Sequence, residues 1–165
     1  MASKRDNRML LEGDQAPDFE LEDLSGGRRK LSAIAAGKPI LLAFFKLACP
    51  TCQFTLPFLD RLYRERTNRE IEIYAISQDD AQSTREFHSE YGLALPTLLD
   101  REEEQYPASN AYGLSNVPSL FLIEPDGRIS RSLMGFDKKG LEDLGRRLGA
   151  EPFLPGESAP EWRAG

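Results

Sequence analysis

Cys49 and Cys52 are the two cysteines of the chain, and they stand together as Cys49-Pro50-Thr51-Cys52. A C-x-x-C pair can exchange electrons as a dithiol and a disulfide, or it can supply half of a zinc site. Zinc needs about four ligands, and the only histidine, His88, lies far along the chain. Redox chemistry is therefore the reading, with Cys49–Cys52 as the redox-active disulfide of the oxidised state. The pair falls where a continuous apolar run, Ile40 to Phe45, gives way to helical spacing. The first turn of a helix has N–H groups without intrahelical partners and carries the positive end of the helix dipole. A sulfur placed there is stabilised as the thiolate and becomes nucleophilic near neutral pH. Cys52, one turn further on, is within bonding reach and points inward, as a resolving thiol should. Pro50 suits the first helical turn, where its missing N–H costs nothing.

The elements that must hold this pair can be read along the chain. Phe19-Glu20-Leu21 and Arg28 to Leu31 flank Ser25-Gly26-Gly27, a short hairpin about a glycine turn. Ile40 to Phe45 has the pattern of a strand buried on both faces. Residues 50–66 take helical spacing, with Phe54, Phe58 and Leu62 on one face and Pro57 inside as a kink. Ile71 to Ser77 alternates as a strand, so the first strand, this helix and the second strand form a right-handed parallel βαβ unit. A helix over 81–91, a short strand Thr97 to Leu99 and a helical stretch over 105–112 follow. Strands Ser119 to Ile123 and Ile129 to Met134 join through Glu124-Pro125-Asp126-Gly127, a turn signal. A helix over 137–148 closes the order, with Leu141, Leu144 and Leu148 on one side. A central mixed β-sheet with helices on both faces, an α/β sandwich, accounts for that sequence of elements.

The length of 165 residues suits one domain, read as 13–150 between a loose polar leader, 1–12, and a tail, 151–165. The tail holds Pro152, Pro155 and Pro160 and is expected to be extended and poorly ordered unless it docks. A net charge of −6 argues against a nucleic-acid partner, which would need a basic face. The longest apolar run, Pro39 to Phe45, spans seven residues, far short of the ~20 that cross a bilayer, so no membrane insertion is expected. The first residues carry positive charge without an apolar core or a small-residue cleavage site, which makes a cytoplasmic location the expectation. His88 reads as a half-packed helical residue, and the acidic run Asp100 to Glu104 as a solvated face. Arg28-Arg29-Lys30 reads as the guard of an edge strand.

Over roughly residues 12–149 the chain resembles the redoxin branch of the thioredoxin fold, nearest the TlpA-like thiol:disulfide reductases and the related AhpC/TSA proteins. The resemblance rests on Gly13-Asp14-Gln15-Ala16-Pro17-Asp18-Phe19-Glu20-Leu21 and on the apolar strand running through Phe44-Phe45 into C-x-x-C. It rests also on Pro57, five residues after Cys52, and on Tyr112-Gly113-Leu114 through Val117-Pro118-Ser119-Leu120-Phe121-Leu122-Ile123 and Pro125-Asp126-Gly127. It implies a thioredoxin-like fold with an N-terminal β-hairpin extension, and a cis Val117–Pro118 bond against the active-site sulfur. It further implies Pro118 beside the catalytic Cys49 and Cys52, with Val117 offering its backbone to an extended substrate. Pro50, Thr51 and Phe45 complete the expected substrate-binding rim.

The related peroxiredoxins place Pro-x-x-x-Thr-x-x-Cys before their cysteine and an Arg near the later strand. Here Leu42 and Lys46 hold the first two positions, and the Arg position falls at or beside Pro118. The expectation is thus a thiol:disulfide reductase, with a thiol-dependent peroxidase or a redox-sensing interaction protein as alternatives. Its partners would be a disulfide-containing protein substrate and an external thiol reductant, with no cofactor and no metal. Three departures from the family pattern bear on the chemistry. Ala48 stands where many members have Trp, which opens the rim. Lys46, three residues before Cys49, would stabilise the thiolate further. Ala43 and Thr55 stand where relatives carry carboxylates, which leaves Thr55, acting through a water, as the group to take the proton of Cys52.

Overall fold

A computed structural model describes residues 8–165. The chain runs β1 (Glu20–Asp23), β2 (Arg28–Lys30), α1 (Leu31–Ala35), β3 (Ile40–Phe45), α2 (Pro50–Glu65), β4 (Glu72–Ser77), α3 (Ala81–Tyr91) and β5 (Thr97–Leu99). A 3-10 turn (Glu102–Glu104) leads into α4 (Pro107–Ala111), β6 (Ser119–Ile123), β7 (Ile129–Met134), β8 (Phe136–Asp137), α5 (Lys138–Leu148) and β9 (Trp162–Arg163). Seven strands form one mixed sheet in the order β2-β1-β5-β4-β3-β6-β7, and β8 and β9 form a separate pair. β3, β4 and β5 are parallel neighbours, while β6 and β7 run antiparallel to β3 and to each other, respectively. The hairpin β1–β2 adds to the far side through β5 and leaves β2 at the edge. This is the thioredoxin-like architecture with its N-terminal hairpin. No helix among the described residues is long and apolar enough to cross a membrane.

Alternation along β3 explains why every residue of the run is buried. Leu41, Ala43 and Phe45 face a core shared with Leu56, Leu59 and Leu62 of α2, Phe87 of α3, and Leu141, Leu144 and Leu148 of α5. Ile40, Leu42 and Phe44 face a second core containing Leu31 of α1, Ala108 of α4, Phe19 and Tyr112. The Tyr112 hydroxyl donates to the Pro17 carbonyl at 2.9 Å, which ties the N-terminal extension to this second face.

Several expectations are refined. The helix over 50–66 is continuous through Pro57, but Phe54, Phe58 and Leu62, expected on one face, do not share one environment. Leu62 is fully buried under the sheet, whereas Phe54 and Phe58 are half-buried and pack on Phe136, with Phe58 also meeting Phe153. The helix expected over 105–112 is shortened to α4, and the 3-10 turn lies before that stretch, because Gln105 and Tyr106 both adopt the left-handed conformation, with φ of 62° and 48°. Residues 1–7 of the expected leader lie outside the described residues. Met9 and Leu10 pack against the second core, and the Leu10 amide donates to the Tyr112 carbonyl at 3.1 Å. The tail docks: Arg61 binds the Pro152 carbonyl and Glu157, and β9 pairs with β8.

The acidic run is not a uniform solvated face. Asp100 is fully buried, and its carboxylate accepts from the Ala108 and Ser109 amides and from the Ser109 hydroxyl. It thereby fixes the start of α4, the element that leads into the loop before Pro118. Asp100→Ala strands those donors in a dry site, at a cost of about 2–4 kcal/mol. Calorimetry should show Tm falling by roughly 5–15 °C, and an unchanged Tm would mean that the anchor contributes nothing.

Candidate active site

Two sheet ends build the site. β3 ends at Phe45, and its antiparallel neighbour β6 begins at Ser119, with Phe44 opposite Ser119. The residues after β3 and those before β6 therefore meet at one edge of the sheet. Cys49 follows β3 as the N-cap of α2, and Pro118 precedes β6. The Val117–Pro118 bond is cis, as the family resemblance implies.

Cys49 Sγ accepts the Cys52 amide at 3.2 Å, so the cysteine sulfur caps the helix as a Ser or Asp oxygen would. The same thiol donates to the Val117 carbonyl at 3.5 Å. Cys49 is half-buried and Cys52 has no exposed surface, and both thiols are free. The less buried cysteine thus stands at the helix start, with the fully buried one a turn behind it. Burial pushes the Cys52 thiol far above its ordinary value of 9.0, a hydrogen bond with Cys49 adds to this, and the negative charge of Asp79 adds a smaller part. Cys52 is held as a neutral thiol, a reserve that must lose its proton before it can act.

The other expected residues fall in different places. Pro50 is exposed at the first position of α2. Thr51 is buried, and its hydroxyl donates to the Ala164 carbonyl at 2.6 Å. Thr55 is buried as well, and its hydroxyl donates to the Thr51 carbonyl at 2.7 Å, so its proton is already committed within the helix. Lys46 is exposed, beside a cavity of about 260 Å³ that it lines with Gln78, Asp79, Asp80, Arg101 and Glu102.

Phe45 is a correction. It was expected on the substrate rim, but it has no exposed surface and stacks against Phe87 at 5.7 Å. Its position in the pleat turns it into the α2-side core, so it supports the site from beneath and cannot touch a partner.

Sequence reasoning missed two features. Asp79 accepts the Leu47 amide at 2.9 Å and so braces the loop that carries the cysteines. Its place follows from the parallel register of β3 and β4, which sets Ser77 beside Phe45 and brings the residues after each strand together. The second is the end of the tail, which reaches the site through Ala164.

The AhpC/TSA family model matches residues 12–132. Thiol-disulfide oxidoreductase ResA of Geobacillus kaustophilus is 32% identical over 137 residues, covering 82% of this chain and 75% of that protein. The thioredoxin domain of a thiol-disulfide oxidoreductase from Bacteroides vulgatus superposes with a TM-score of 0.73 at 22% identity, over 84% of this chain and 97% of that one. Peroxidoxin BcpB of Mycobacterium tuberculosis superposes almost as well, with a TM-score of 0.69 at 21% identity, over 84% and 96%. Backbone likeness at such identities establishes the fold and does not separate a reductase from a peroxidase. The ResA relative carries that distinction further, since a protein named as a thiol-disulfide oxidoreductase matches this chain over most of its length. This protein belongs to the AhpC/TSA family and is an oxidoreductase of the thiol–disulfide kind.

Proposed function

We propose that the protein reduces disulfides in partner proteins, with Cys49 as the attacking sulfur and Cys52 as the resolving one. The observation that carries this reading is the asymmetry of the pair: a half-buried cysteine at the helix start, backed by a fully buried one a turn away. The Cys49 thiolate attacks one sulfur of the partner disulfide, and the other leaves as a thiolate that takes up a proton. Cys52, once deprotonated, attacks Cys49 Sγ and releases the partner's second thiol. The partner disulfide becomes a dithiol, and Cys49 and Cys52 become the disulfide. An external thiol reductant then returns the pair to its reduced form.

Val117 and Pro118 take the role of holding the substrate, the Val117 carbonyl that accepts the Cys49 thiol lying where an extended segment would pair. Pro50, exposed next to Cys49, forms the adjoining rim.

Stopped-flow loss of thiols from the reduced protein, mixed separately with insulin and with hydrogen peroxide, tests the proposal. The expected result is fast reaction with insulin and a slow one with peroxide. The reverse order would overturn it in favour of a peroxidase. Loss of thiols without turnover, accompanied by altered partner binding, would favour a redox-sensing protein.

A further inference from the structure

The segment after Pro160 crosses the edge of the site. The Glu161 carbonyl accepts the Lys138 amide at 3.1 Å, and Trp162 and Arg163 pair antiparallel with Asp137 and Phe136. Trp162 Nε1 donates to the Met134 carbonyl at 3.0 Å, and the Arg163 guanidinium lies 5.8 Å from the centre of the Phe54 ring. Ala164 then accepts the Thr51 hydroxyl, one residue before Cys52. Gly165 lies against the cis peptide itself: a Cβ there would collide with the Val117 carbonyl oxygen and stand 3.3 Å from Pro118 N. That carbonyl is the one to which the Cys49 thiol donates.

The chain is shaped for this approach. Gly135, with φ of +73°, is placed so that any side chain would strike the Arg163 carbonyl. Yet residues 161–165 are all exposed, and β9 is only two residues long. An exposed strand of this size sits at the low end of local stability and can open without disturbing the core.

We propose that residues 161–165 form an internal occupant of the docking groove, which an extended polypeptide segment of the partner must displace by pairing along β8 and beside Val117. This rests on the disulfide-reductase reading for its substrate. The contacts of the strap are those of an added strand: main-chain pairing on one side and small residues, Ala164 and Gly165, at the closest approach. A tethered segment competes at an effective concentration in the millimolar range for short tethers, so it disfavours weakly held polypeptides. A small disulfide needs no main-chain pairing, only the half-buried Cys49, and passes the strap.

The test compares the full chain with a chain ending at Pro160 and with Gly165→Val, which crowds the strap off Val117. Insulin reduction should rise roughly 3- to 10-fold in the shortened chain and in the same direction in Gly165→Val. The rate with 5,5′-dithiobis(2-nitrobenzoate) should change less than about two-fold. An unchanged insulin rate, or an equal rise with both disulfides, would overturn the strap. Should neither disulfide be reduced by any form, the reductase reading fails and Trp162 still decides the strap. Trp162 is the single tryptophan, so adding carboxymethylated insulin B chain, which has no tryptophan, should shift its fluorescence as the strap leaves. No shift at saturating peptide overturns the proposal.

Discussion

Cys49→Ser is expected to lower the rate of insulin reduction by on the order of 10³-fold or more while leaving the fold in place. The two effects separate because Cys49 has two jobs. Chemically, Cys49 is the less buried member of the pair, and a serine hydroxyl neither ionises near neutral pH nor forms a disulfide. Structurally, it caps α2 by accepting the Cys52 amide, a task that serine oxygen performs well. The thermal midpoint should therefore stay within a few degrees of the parent, as for an exchange of capping groups worth about 1 kcal/mol or less. Insulin turbidity with a thiol reductant measures the first effect, and a circular-dichroism melt the second. Retained turnover would place the attacking sulfur elsewhere. A collapse of the melt would mean that the sulfur acts in stability as much as in chemistry.

Cys52→Ser is expected to stop turnover one step later. Cys49 remains free to attack, so the mixed disulfide with the partner forms and then persists, with a lifetime lengthened by at least about 100-fold because the intramolecular attack is lost. A non-reducing gel of the variant with insulin should show the adduct, which Cys49→Ser should not form. The parent protein carries a matching pH signature. In the mixed disulfide the Cys49 sulfur is bonded to the partner, but burial, the largest cause, and the charge of Asp79 still favour the protonated form of Cys52. Since only the thiolate attacks, and its fraction rises tenfold with each pH unit below the pKa, resolution should quicken by about tenfold per unit between pH 7 and 9. Rapid-quench measurement of adduct decay gives this slope. A flat profile would mean that another step, such as partner release or strap movement, limits resolution.

Much of the site was written in short stretches of sequence. The C-x-x-C, the apolar run before it and the proline after it lie within twenty residues, where strand alternation, helix spacing and N-terminal capping act locally. Pro118 is more distant, and its assignment rests on the family resemblance that Val117-Pro118-Ser119 and the apolar strand after it help to carry, rather than on any local rule. What the sequence determined by itself was the cysteine pair proposed to react, the strand-to-helix junction that holds it, and the α/β order that makes the scaffold. What the tertiary structure decided was everything set by register and by the choice of face. Phe45 looked like a rim residue until the pleat turned it into the core. Asp79 became a neighbour of the cysteine loop through the parallel pairing of β3 with β4. Asp100 stood in an acidic run and proved to be a buried anchor. The tail, proline-rich and polar, had no local signal for order, because its partners, Phe136, Asp137, Thr51 and Phe54, are contributed by segments far away in the chain. Local patterns report how a residue prefers to sit among its chain neighbours, whereas contacts between distant segments exist only once the sheet has brought them together.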